Sequence, residues 1–234
     1  HFKEIGEQQG FDTTYWNNTI FSLQEELGYP ELKIESTKIH PKTSVLNHAR
    51  KRVELALSRK RTNDPVYDTY RFPLRWNSLK NTAKSVFVKF HETFSATPQS
   101  WQKLMDQINA AERSTARYQE VKAQLEAKQP DIVFCTTQRA TQAIAPLLAA
   151  QDLGIKTACW IYSWDNLPKG MSTVETDYYF VWSELMKAQL LEYYPKTKSA
   201  QIFVTGTPQF EPHYDASLVL SRKQFCEAHS LNTN

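Results

Sequence analysis

Four apolar runs in the second half of the chain predict four β-strands. They cover residues 131–136, 156–163, 176–182 and 200–206, and helical patterns over 139–154 and 183–195 fill two of the intervals between them. Near-continuous apolar strands are typical of a parallel sheet that is buried on both sides. The alternation of strand and helix therefore predicts an α/β fold, a Rossmann-like parallel sheet with helices on both faces.

The first half of the chain has mainly helical periodicity, so we expect a helix-rich region before the sheet. The pattern predicts helices over 12–27, 43–60, 74–94 and 100–129, the last continuous or nearly so, and a short strand over 31–36. Within 74–94, three lysines (Lys80, Lys84, Lys89) are expected opposite an apolar stripe. The stripe consists of Leu79, Ala83, Val86, Phe87, Phe90 and Phe94.

Polar and aromatic residues follow each of the four predicted strands. Because parallel strands end at the same edge of a sheet, we expect these residues to form a binding edge there. The candidate substrate-binding residues are Thr137 and Arg139, then Ser163, Trp164 and Asn166, then Ser183, and finally Gly206, Thr207, Gln209 and Phe210. Asp165, which follows Trp164, is the candidate catalytic base.

Several of these residues have a purely structural interpretation as well. Ser183 is placed to cap the helix that follows it. Asp165 and Asn166 are also typical of an ordinary turn, and Gly206 of a turn with positive φ. The sequence leaves both interpretations open.

The glycine and cysteine inventories exclude several kinds of site. The six glycines form no G-x-G-x-x-G, no Walker A loop and no G-x-S-x-G, so a phosphate would have to be held by other backbone. Cys135, Cys159 and Cys226 are odd in number and widely spaced, which predicts reduced, packed thiols rather than disulfides. The histidines lack ligand spacing, so we expect no metal and no cofactor.

Positive charge is concentrated in the first half. Between Lys42 and Lys89 the chain has twelve basic and three acidic residues, whereas the net charge of the whole chain is only +3. Three interpretations remain open: a solvated helix face, a site for an anionic membrane surface or anionic acceptor that involves residues 74–94, and nucleic-acid binding. No nucleic-acid motif accompanies the charge, so we expect no nucleic-acid partner.

Three segments carry a resemblance to a known family. IYSWDNLPKG (161–170), TDYYFVWSELMKAQLLEYYP (176–195) and IFVTGTPQFEPH (202–213) resemble the N-terminal lobe of bacterial glycosyltransferase-like proteins with two facing Rossmann-like domains, the GT-B architecture. Hydrolysing UDP-N-acetylglucosamine 2-epimerases share that superfamily. The resemblance implies an acceptor-binding lobe over 1–215, clearest in the βα units of 131–210. Residues 216–234 would then form the linker helix at the start of an absent second lobe that binds a nucleotide sugar, with UDP-sugars the expected donors.

The resemblance also implies an activity. We expect a glycosyltransferase that transfers a sugar from a nucleotide-diphosphate sugar to a hydroxyl of a surface-glycan or lipid-linked acceptor. The lobe alone would be inactive, and the protein would be cytoplasmic or peripheral at the inner face of the membrane. A nucleotide-sugar epimerase or hydrolase is a weaker alternative, because Cys135–Arg139 stand where the epimerases have His-Gly-Asp-Thr. A non-catalytic glycan- or membrane-binding module is the second alternative.

Overall fold

The computed structural model describes residues 6–17, 21–36, 38–170, 173–215 and 219–232. Residues between 15 and 32 form a small two-stranded sheet. In it β1 (Tyr15–Trp16) pairs in parallel with β2 (Glu31–Leu32), and the short helix α1 (Leu23–Leu27) lies between them in the chain. The Glu31 carboxylate accepts a 2.8 Å bond from the Leu23 backbone N–H, which holds α1 against β2. The predicted helix over 12–27 is therefore wrong for most of the described residues in that range, and residues 18–20 lie outside the described part of the chain. The strand predicted over 31–36 is confirmed for its first two residues.

Five helices follow, and side chains at the N-cap position start the last three of them. They are α2 (Pro41–Thr62), α3 (Val66–Thr69), α4 (Leu79–Phe94), α5 (Pro98–Arg113) and α6 (Ala116–Lys128). The helix predicted over 74–94 begins only at Leu79, where Ser78 accepts a bond from the Asn81 N–H. The continuous helix predicted over 100–129 is interrupted, because the Thr115 hydroxyl accepts a 3.1 Å bond from the Tyr118 N–H and starts α6.

The second half forms a four-stranded parallel sheet. Its strands are β3 (Ile132–Cys135), β4 (Lys156–Trp160), β5 (Tyr178–Val181) and β6 (Ile202–Val204), in the order β3-β4-β5-β6. Helix α7 (Ile144–Asp152) connects β3 to β4, and α8 (Glu184–Tyr193) connects β5 to β6. A 3-10 helix (Pro208–Tyr214) and α9 (Arg222–Ala228) end the described chain. The predicted α/β fold, a Rossmann-like parallel sheet flanked by helices, is confirmed.

The two faces of this sheet are covered to different degrees. Val133, Cys159, Tyr179 and Ile202 point into the hydrophobic core that α7 and α8 share. The opposite face carries a row of aromatic rings, in which the Phe180 and Phe203 centroids are 5.6 Å apart and those of Phe134 and Phe180 are 5.8 Å apart. Phe134 and Phe203 are 42% and 46% exposed. The first face is thus densely covered, whereas Phe134 and Phe203 on the second face remain partly exposed to solvent.

Helix α4 packs with its polar side inward. It buries Ser85, Val88 and Glu92, whereas Leu79 and Phe94 of the predicted apolar stripe are 92% and 76% exposed. At 3.6 residues per turn the three lysines border the stripe instead of lying opposite it, so that detail of the prediction is wrong. The physical reason is Arg52 on α2, which is itself buried and draws the Glu92 carboxylate toward the core.

Candidate functional site

The loops after β3, β4, β5 and β6 lie at one edge of the sheet. All three strand pairs are parallel, so the carboxyl ends of the strands coincide there. The candidate residues that follow the strands therefore occupy the edge where α/β proteins bind ligands. Within this edge the loops form two pairs, one after β3 and β4 and one after β5 and β6.

A side-chain bond links the loops after β3 and β4. Arg139 Nη1 donates to Asn166 Oδ1 over 3.3 Å, and Asn166 is only 2% exposed. The Arg139 Nε is also buried but has no hydrogen-bond partner in the described structure. Thr137 is exposed at the start of the same loop. An unpaired buried N–H of a guanidinium is a donor that a bound acceptor group could satisfy.

Asp165 is the centre of a small polar cluster beside Arg139. The Ser163 hydroxyl donates to Asp165 Oδ1 over 2.6 Å, and Lys169 forms an ion pair with the other oxygen. Burial acts to raise the pKa of Asp165, but the bonds from Lys169 and Ser163 outweigh it and hold the pKa below its ordinary value. The carboxylate is consequently ionised at neutral pH and accepts hydrogen bonds.

Trp164 supplies an apolar surface next to this cluster. Its side chain precedes Asp165 and is 65% exposed, which is unusual for tryptophan. An exposed indole next to an ionised carboxylate combines the apolar and polar contacts that a sugar ring needs.

Ser183 has the structural role that the sequence left open. It is the N-cap of α8, and its hydroxyl accepts a bond of 3.4 Å from the Met186 N–H.

The loop after β6 contacts the loop after β5 through aromatic rings. Phe210 packs edge-on against Trp182, with centroids 5.8 Å apart, and is 47% exposed. Gly206 has φ +73, so the turn interpretation of this residue holds. The Thr207 hydroxyl and the Trp182 indole N–H are buried without a partner in the described structure, and Gln209 is exposed. These unpaired groups mark a second place where a polar ligand could bind.

Helix α2 adds residues that the sequence analysis missed. Asn47 donates from Nδ2 to the Thr141 hydroxyl over 3.1 Å, which places α2 beside the loop after β3. Further along α2, Glu54 accepts bonds from Arg50 (2.6 Å) and from the Tyr194 hydroxyl (2.6 Å). A Cβ atom on Gly170 would lie 3.1 Å from Glu54 Oε2, so the loop after β4 passes directly against the helix. Helix α2 therefore lies along the β3–β4 part of the edge.

Lys51 is the most important of these additions. Burial, followed by repulsion from Arg50 and Arg139, lowers the pKa of Lys51 to about 8. Its Nζ lies 5.2 Å from the centroid of the Phe72 ring. The basic triplet Arg50-Lys51-Arg52 was visible in the sequence, but nothing in it indicated which of the three side chains reaches the sheet edge.

Cys135 and Cys159 are paired neighbours in β3 and β4 and are free thiols, as is Cys226. A hydrogen bond with Cys159 lowers the pKa of Cys135, whereas burial raises that of Cys159.

Among the described residues no group of three or more histidine, cysteine or acidic side chains is arranged to hold a metal ion. Within the same residues, no helix has the length and apolar character needed to cross a membrane.

No protein-family model, no curated protein and no solved structure matches this chain.

Proposed function

We propose that this chain is the acceptor-binding lobe of a nucleotide-sugar-dependent glycosyltransferase, with the donor held by a second lobe. The observation that supports the proposal best is the bond between Arg139 and Asn166. It joins two strand-end loops into one polar surface, next to an exposed indole and an ionised carboxylate. The motifs of residues 161–213 that resemble such a lobe include the second of these loops.

The edge offers the contacts that a glycan acceptor requires. Trp164 would stack on the apolar face of a sugar ring, while Asp165 accepts hydrogen bonds from its hydroxyls. Asn166 is already engaged with Arg139, so its role is to fix the position of the guanidinium. Thr137, Ser163 and the loop 206–210 would border the same acceptor.

Asp165 is better suited to orient a hydroxyl than to deprotonate it. A general base works best when its pKa is near the working pH, and the ion pair with Lys169 acts in the opposite direction. A catalytic role for Asp165 would require Lys169 to move away during the reaction. Asp165 as the base therefore stays a prediction.

Lys51 and Arg139 indicate an acceptor that carries a phosphate or a carboxylate. The two cations are close enough for Arg139 to lower the pKa of Lys51, and Glu54, which raises it, only partly compensates. An anion bound between them would relieve this repulsion and would pair the free Arg139 Nε. A sugar phosphate or an acidic sugar meets this requirement.

The proposal is tested with the full-length protein and a panel of nucleotide sugars, with and without sugar-phosphate acceptors. Transfer that requires the acceptor supports the proposal. Release of UDP or of an epimerised sugar without any acceptor favours the epimerase or hydrolase. If no nucleotide sugar binds or reacts, the transferase proposal fails.

A matched pair of variants tests the acceptor site itself. Trp164→Ala should weaken acceptor binding by about tenfold or more, which corresponds to the loss of one stacked ring. Trp76→Ala removes a comparably exposed indole (56%, against 65% for Trp164) that belongs to none of the four strand-end loops, and it should leave acceptor affinity unchanged. Equal affinities for both variants would contradict the placement of the acceptor at this edge.

A further inference from the structure

The outer side of α4 is an apolar surface with a positively charged border. Five large side chains form it, with exposures between 37% and 92%, and we refer to them as the α4 apolar face: Leu79, Val86, Phe87, Phe90 and Phe94. Phe90 contacts Phe94 at a centroid separation of 5.6 Å, so the rings form one continuous patch. Trp76, which is 56% exposed, precedes the helix. A contiguous exposed patch of this kind marks an interaction surface.

The α4 apolar face cannot turn into the core without disrupting α4 packing. Glu92, on the other side of the helix, is 6% exposed and accepts bonds of 3.0 and 3.2 Å from Arg52 on α2. Ser85, also buried, exchanges bonds with the backbone of Arg75, donating to its carbonyl and accepting from its N–H. These contacts hold the helix with its apolar side outward.

The charges around the face are of one sign. Lys80 and Lys84 border it on one side, since these positions flank the stripe at 3.6 residues per turn. Lys89 lies on the other side, where its ammonium pairs with Glu92 over 3.3 Å. Glu92 is the only acidic residue between Arg71 and Ala96, and it is turned inward. Apolar side chains with a lysine border and aromatic residues match a bilayer surface that contains anionic lipids.

We propose that the α4 apolar face binds the surface of an anionic lipid membrane, with α4 lying in the interface plane. Phe87, Phe90 and Phe94 enter the boundary between headgroups and acyl chains, and Lys80 and Lys84 contact lipid phosphates and carboxylates. The α4 segment adjoins the candidate site through Phe72, whose backbone carbonyl accepts a bond from Arg52 and whose ring lies below Lys51. The proposal does not depend on the transferase activity, because it concerns this surface alone.

Co-sedimentation of the chain with lipid vesicles tests the proposal. We expect binding to phosphatidylcholine vesicles that contain about one-third phosphatidylserine, and weaker binding to pure phosphatidylcholine. Raising the ionic strength from about 0.05 M to about 0.5 M should weaken the interaction, because the shorter Debye length screens the lysines. Absence of binding to the anionic vesicles at low salt overturns the proposal.

Four variants distinguish this face from general adhesion. Phe90→Asp with Phe94→Asp should lower the partition coefficient by about a hundredfold or more, and Lys80→Glu with Lys84→Glu by about tenfold or more. The matched controls are Leu185→Asp, at an apolar position on α8 that is 70% exposed, and Lys198→Glu, at an exposed lysine; both should bind like the unchanged chain. All the substituted positions except the half-buried Lys84 are exposed, so we expect every variant to fold. Circular dichroism checks this.

Two other outcomes overturn the proposal. One is vesicle binding that survives the double phenylalanine substitution. The other is a dimer in sedimentation velocity that the same substitution dissociates while vesicles do not bind, which would assign the face to a second copy of the chain.

Discussion

Arg52 on α2 and Glu92 on α4 form a buried pair, in which Nε donates to Oε2 over 3.0 Å and Nη2 to Oε1 over 3.2 Å. Both residues are less than one-tenth exposed, at 7% and 6%. The pair fixes which side of α4 faces the protein. The orientation of this amphipathic helix follows the buried polar contacts of Glu92 and Ser85 and not its apolar stripe.

Removing Glu92 should therefore be costly. Glu92→Ala leaves the Arg52 guanidinium buried without its carboxylate, and we expect a loss of about 3–5 kcal/mol in the free energy of unfolding. Lys89→Ala removes a solvent-exposed partner of the same carboxylate, at 3.3 Å, and should cost less than about 1 kcal/mol. Urea denaturation of both variants measures the difference. Similar losses for the two would show that the buried pair does not anchor α4.

Acid sensitivity should depend on Asp152. Arg113 donates to its two oxygens over 2.7 and 2.8 Å, and the Tyr118 hydroxyl donates over 2.6 Å. The bond from Arg113 is the largest influence on the pKa of Asp152, and the pKa lies below its ordinary value although burial opposes this. A carboxyl with a depressed folded-state pKa stabilises the fold above its unfolded pKa of about 3.9, and this stabilisation is lost as the pH falls through the folded-state value.

The variant that tests this is Asp152→Asn. It should be less stable than the unchanged chain by about 1 kcal/mol at pH 7, and the gap should close below about pH 4. Asp131→Asn, at an exposed position, serves as the control and should show little difference at either pH. If Asp152→Asn is equally destabilised at pH 7 and below about pH 4, Asp152 does not account for the loss of stability in acid.

Gly170 should be sensitive to substitution for two reasons. Its φ of +74 disfavours any side chain, and a Cβ there would meet Glu54 Oε2 at 3.1 Å. Glu54 is held by Arg50 and Tyr194 and cannot easily withdraw. Gly154→Ala is the matched control, because Gly154 has φ +75 but open space around the added carbon.

We expect Gly154→Ala to cost about 1 kcal/mol and Gly170→Ala at least about 2 kcal/mol of unfolding free energy. Thermal or urea unfolding gives both values. If the two losses are equal, the contact between Glu54 and the loop after β4 contributes nothing.

Anion binding at the edge should depend on pH through Lys51. The pKa of Lys51 is about 8, so the free side chain loses its charge as the pH rises past that value. Sulfate stays a dianion over this whole pH range, so its affinity for the chain, measured by calorimetry, should be constant below pH 7 and fall above pH 8. Lys51→Arg keeps the charge at all these pH values and should flatten the profile. If the pH profile of Lys51→Arg matches that of the unchanged chain, Lys51 does not contribute to anion binding at the edge.

The sheet could be predicted from the sequence because its signal is local. Each strand from β3 to β6 is a short apolar run, and the pairing of such runs in parallel follows from the helices between them. The positions of Thr137, Asp165 and Thr207 at one edge follow from the same argument. No further information was needed for them.

The remaining features depend on contacts between distant segments. Tyr15 and Trp16 form a strand because Glu31 and Leu32 pair with them, which overrides the helical pattern of 12–27. Lys51 reaches the edge because Asn47 binds Thr141, 94 positions later in the chain. The outward side of α4 depends on Arg52, which no periodicity within 79–94 could indicate.

The order β3-β4-β5-β6 has a consequence for how the sheet assembles. Each strand pairs with the one just before it in the chain, for example Ile132 with Lys156 and Ala158 with Tyr178. Each newly synthesised strand of this sheet can therefore pair with the strand made just before it, and no strand of this sheet has to insert between two others. Assembly in the order of synthesis therefore keeps each loop closure as short as a parallel crossover connection allows.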